Sequence, residues 1–117
     1  MKTDRQMQVV VQWEHFLHEL MAVGRNFPKS MRPVLTNRML NYAFDVLDAL
    51  VCAQYSEKAS QGSYLTEAQL LLNKVRVLLR VACVEGWLNE GRLMVLSEKI
   101  DAVSKGIHGW QKGVQNL

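Results

Sequence analysis

Four cations and no acid fall within residues 25–38, a stretch that reads Arg25-Asn26-Phe27-Pro28-Lys29-Ser30-Met31-Arg32-Pro33-Val34-Leu35-Thr36-Asn37-Arg38. Arg25, Lys29, Arg32 and Arg38 together carry more positive charge than the +3 net charge of the whole chain. Guanidinium and ammonium groups gathered in this way suit phosphate oxygens or an acidic partner, and the alternative is a solvated loop with no specific partner. Elsewhere the chemistry-bearing residues are sparse. His15 and His18 stand three apart between Glu14 and Glu19, with His108 as a conceivable third ligand. A zinc site needs three or four convergent ligands, so no metal is expected. Glu85 and Glu90 flank a turn, where Glu90 complements a helix N-terminus. There is no glycine-rich phosphate loop, no nucleophile elbow and no spacing that pairs a cysteine with a histidine. The chain is therefore expected to bind rather than catalyse, with no catalytic residue and no cofactor.

The elements that must hold these cations are helical. At 117 residues, with 49% hydrophobic and 21% charged residues, the chain is expected to form one domain over 1–117. Apolar periodicity predicts helices over about 6–24, 34–55, 66–85 and 90–112. The first presents Trp13, Phe16, Leu17, Leu20 and Met21 on one face and ends near Gly24. Pro33 suits the first turn of the second. For the third helix, Thr66 and Gln69 have capping-box spacing, Gln61-Gly62-Ser63 supplies the preceding turn, and Gly86 is the stop. Asn89 is the N-cap of the fourth. Short connections make neighbours antiparallel, so an all-α, up-down four-helix bundle follows, with the basic segment at one end.

The second and third helices carry more apolar surface than a lone bundle needs. Leu35, Met39, Leu40, Ala43, Phe44, Val46, Leu47, Leu50 and Val51 cover most of one cylinder. Leu70, Leu71, Leu72, Val75, Val77, Leu78, Leu79, Val81 and Val84 cover most of the other. A helix apolar nearly all round is covered on more than one side, so an obligate homo-oligomer is expected. Polar stripes remain: Asn37, Asn41, Asp45 and Asp48 on one helix, Gln69, Asn73, Arg76 and Arg80 on the other. Arg76 and Arg80 either pair with Asp45 and Asp48 or line a phosphate-binding surface. Cys52 and Cys83 fall in apolar patterns and are expected as reduced, buried thiols. Trp110 is expected to close the bundle end or a subunit contact. No apolar run is long enough to span a membrane and no signal core follows the N-terminus, so a cytoplasmic protein is expected.

Several motifs in order carry a family resemblance. Phe27-Pro28-Lys29-Ser30, followed by Arg32, Leu35 and Arg38, resembles the segment joining helices one and two in the small four-helix proteins. These comprise the ribosomal RNA intervening-sequence proteins and the accessory variability (Avd-like) proteins of diversity-generating retroelements. The second branch is matched further by Arg76, Leu78, Leu79, Arg80 and Ala82, by Gly86-Trp87-Leu88-Asn89-Glu90, and by Gly106, Ile107, Gly109, Trp110 and Lys112. The resemblance implies a pentameric barrel of four-helix bundles with a basic surface. It also implies binding to DNA or RNA with little sequence preference, in association with a retroelement reverse transcriptase. Carried onto this chain, the nucleic-acid contacts would be Lys29, Arg32, Arg38, Arg76 and Arg80. The competing expectation is a structural or protein-interaction module whose basic connector serves assembly or docks an acidic protein.

Overall fold

The computed structural model describes residues 4–115, which form four α-helices. They are α1 (Asp4–Gly24), α2 (Asn37–Tyr55), α3 (Lys58–Val84) and α4 (Glu90–Gln115), with no strand among the described residues. Each helix packs on the next and α1 closes against α4, giving an antiparallel up-down bundle with extents of 47 × 25 × 18 Å.

The apolar periodicity dictates which side of each helix is buried. Trp13, Phe16 and Leu20 from α1 meet Met39, Ala43, Val46 and Leu50 from α2, Leu65, Leu72 and Leu79 from α3, and Leu96, Ile100 and Ile107 from α4. Trp13 stacks on Phe16 at 4.8 Å and donates from Nε1 to the Ala43 carbonyl at 2.8 Å. That bond satisfies the one polar atom of a large buried ring and fixes the register of α1 on α2. Val9 lies one turn before Trp13 on the same buried side of α1, and there Gly106 lets α4 approach closely: a Cβ on Gly106 would meet Val9 Cγ2 at 2.6 Å.

Three junctions set the geometry of the ends. Between α1 and α2, a 3-10 turn (Lys29–Met31) and a π turn (Arg32–Thr36) lead directly into α2. The regular α-helix thus begins at Asn37, three residues later than the sequence pattern suggests, after the π turn whose first positions include Pro33. Between α3 and α4 the chain closes as expected at Gly86, which has φ +83°. Gly86 N–H donates to Cys83 O and Trp87 N–H to Ala82 O, the paired bonds of a Schellman stop. Asn89 then caps α4 as expected, accepting from the Arg92 N–H at 2.7 Å.

The junction between α2 and α3 overturns the sequence expectation. It consists of Ser56 and Glu57 alone, and residues 61–63 lie inside α3. The hydroxyls of Ser63 and Thr66 bond back to the carbonyls of Ser60 and Gly62, which satisfies them within the helix. Tertiary contacts complete the override. Gln61 is buried, donates to the Ser56 carbonyl and accepts from Trp110 Nε1 at 3.2 Å. Trp110 therefore does close this end of the bundle. Thr66 and Gln69 form no capping box, since Gln69 instead exchanges two hydrogen bonds with Ser104 of α4.

Candidate functional site

The basic connector is anchored by its apolar residues and exposes its charged ones. Phe27 is buried and lies 6.3 Å from the Trp87 ring, which ties this loop to the α3–α4 turn at the same end of the molecule. Leu35 and Thr36 are buried and Met31 is half-buried. Met31 N–H donates to Pro28 O, Arg32 N–H to Lys29 O and Asn37 N–H to Arg32 O, so the backbone is bonded through most of its length. Against this frame Arg25, Lys29, Arg32 and Arg38 are all exposed, and none forms an ion pair with a described residue. On a bonded backbone the ordering cost of meeting an anion falls on the side chains of these cations and not on the main chain.

The two arginines of α3 are not equivalent, and the expected pairing with Asp45 and Asp48 is not formed. Arg76 turns to α4 and bonds Asp101 at 2.7 Å, which leaves it half-buried. Two members of the polar stripe face α4, Gln69 bonding Ser104 and Arg76 bonding Asp101, while Asn73 and Arg80 stay exposed. Arg80 is exposed and unpaired, lining a shallow hollow with Val77, Val81, Val84 and Glu85. Antiparallel packing sets these last turns of α3 alongside the start of α2, the end at which the connector lies.

Sequence reasoning missed two residues that the fold adds to this end. Lys74 and Tyr42 line one groove with Arg38, and the Lys74 ammonium lies 5.2 Å from the centroid of the Tyr42 ring. Placing the junction correctly would have revealed them, because Lys74 of α3 then falls level with the turn of α2 that carries Arg38 and Tyr42.

Other chemistry does not assemble. Among the described residues no three metal-ligating side chains converge. Glu19 is taken up by Lys99 and by Arg92, the latter at 3.6 Å. Cys83 is half-buried and Cys52 is exposed, which corrects the expectation of two buried thiols; Cys52 falls on the outer side of α2, away from the core residues Ala49, Leu50 and Ala53. No helix among the described residues is long and apolar enough to cross a membrane.

The chain is thus a four-helix protein with an anchored basic segment at one end, whose cations are exposed and form no ion pair with a described residue. A family model described as bAvd-like matches residues 7–114, and the chain belongs to that family. The family is one of accessory proteins and is not a known enzyme family, in agreement with the resemblance carried by the connector and the α3–α4 motifs. Neither a curated protein nor a solved structure matches the chain.

Proposed function

We propose that this protein is a non-enzymatic, oligomeric accessory protein that binds DNA or RNA through its basic end with little sequence preference. The observation that carries the proposal is the connector itself: Lys29, Arg32 and Arg38 exposed and unpaired on a segment pinned by Phe27 and Leu35. Arg80 extends the surface, while Arg76 reaches a phosphate only by releasing Asp101. Contacts of this kind act on the backbone, so affinity falls steeply with salt and sequence is read weakly. Membership of an Avd-like family supports a role beside a retroelement reverse transcriptase in the cytoplasm, holding the nucleic acid on which it acts.

Assembly multiplies the surface. Phe44 and Val51 form an exposed row on α2, and Val81 and Val84 a second on α3, where Val84 is 88% exposed. Two different apolar patches on one subunit suit a head-to-tail contact, which gives a ring when the rotation between neighbours closes. Five copies is the number the family resemblance implies, and five connectors on one ring would raise avidity without any new contact. Titrating labelled single-stranded DNA, duplex DNA and RNA with the protein across a salt series tests the proposal. Binding to all three at low ionic strength, weakening together as salt rises, is expected. An intact oligomer that binds none of them would leave the connector to assembly or to an acidic protein partner.

A further inference from the structure

The groove between α2 and α3 combines groups that the exposed connector lacks. It measures ≈ 320 Å³, and its walls include the apolar side chains of Leu70 and Val77. Arg38 and Tyr42 line it from α2 and Asn73 and Lys74 from α3, so each helix brings one cation. No carboxylate lines it. Lys74, itself exposed, lies over the Tyr42 ring, so the ring is half-buried and the face it turns to the groove is covered by a side chain rather than by the core.

We propose that this groove takes one nucleotide of a single strand. The base stacks on Tyr42 between the apolar walls, and the flanking phosphates meet Arg38 and Lys74. Lys74 exchanges its ring contact for a phosphate when the base arrives. The Asn73 amide offers a donor and an acceptor to whichever base edge faces it, which keeps the preference for sequence low. A duplex cannot use the groove, because its bases are paired and stacked inside the helix. The proposal rests on the nucleic-acid reading above and adds to it a preference for unpaired strands.

The test compares an oligodeoxythymidylate with a blunt duplex of equal length, both labelled, over a salt series. Tyr42→Leu is expected to weaken single-strand binding about 5- to 160-fold, the range for loss of one stacked base, and to leave duplex binding within about two-fold. Its salt slope should match that of the unmodified protein, whereas Lys74→Gln should lower the slope by roughly 0.7. Tyr42→Phe should retain the preference. Asn73 is exposed, so Asn73→Asp leaves the core untouched, and by placing a carboxylate in the groove it should also weaken single-strand binding selectively; it carries the test if Tyr42→Leu fails to fold. Equal losses on both ligands, or no loss on either, would overturn the proposal while leaving nucleic-acid binding intact. A changed oligomeric mass for Tyr42→Leu would also overturn it, by marking the groove as a subunit contact. An unmodified protein that binds neither ligand would remove this proposal and its parent together.

Discussion

Arg76 and Arg80 sit one turn apart on α3, yet Asp101 holds the first while the second is exposed and unpaired. At the scale of single residues this difference makes a prediction. Arg80→Ala should weaken nucleic-acid binding more than Arg76→Ala, as measured by titration at fixed salt. The Arg76 change should cost about 0–1 kcal/mol of stability, the usual worth of a partly exposed ion pair. Two buried sites make stability predictions of opposite sign. The Thr36 hydroxyl is buried with no hydrogen-bond partner among the described residues, so Thr36→Val keeps the shape and should stabilise by about 1 kcal/mol in denaturant unfolding. Gly106→Ala should destabilise by about 1–3 kcal/mol, because its Cβ would lie 2.6 Å from Val9 Cγ2 and neither α1 nor α4 can yield freely. The exposed cations Lys29, Arg32 and Arg38 were legible from residue type and a gap in acids. The partner of Arg76 was not, since Asp101 lies on another helix and only the register of α3 brings them together.

At the scale of elements, four helices and two of three junctions could be read from the chain. Gly86 and Asn89 signal the α3–α4 turn through local chemistry, a glycine at positive φ and a side-chain cap, and such signals need no tertiary context. Gln61-Gly62-Ser63 has the composition of a turn but lies within α3, because the buried Gln61 links Ser56 to Trp110 and Leu65 enters the core. Composition cannot register a bond to a residue far along the sequence. The same fact predicts that Gly62→Ala stabilises the protein by about 0.5–1 kcal/mol, read as a raised Tm. Nothing lies within 4 Å of a Cβ built at Gly62, and its φ is not positive, so alanine removes only the freedom of the unfolded chain. A loss of stability there would argue that the chain turns near residue 62 after all.

At the scale of the whole molecule, the bundle buries one side of each helix and leaves apolar rows on α2 and α3 exposed. Those rows were anticipated from helices apolar on too many sides. Light scattering should give a multiple of 13.4 kDa, five-fold for a pentameric ring. Replacing Val81 and Val84 together by Glu should shift the mass toward 13.4 kDa with helicity retained, as both residues lie outside the core. A monodisperse monomer of the unmodified protein would contradict the ring. The proposed ring would also let a chain of net charge +3 hold nucleic acid, since each subunit would bring its connector to a shared surface. The most direct measurement is a salt titration of single-stranded DNA binding, comparing the unmodified protein with a variant carrying Lys29→Ala, Arg32→Ala and Arg38→Ala. Binding that the three substitutions abolish or weaken by orders of magnitude, with a shallower salt slope and an unchanged oligomeric mass, is the predicted result. Equal affinity and equal slope for the two proteins would contradict it.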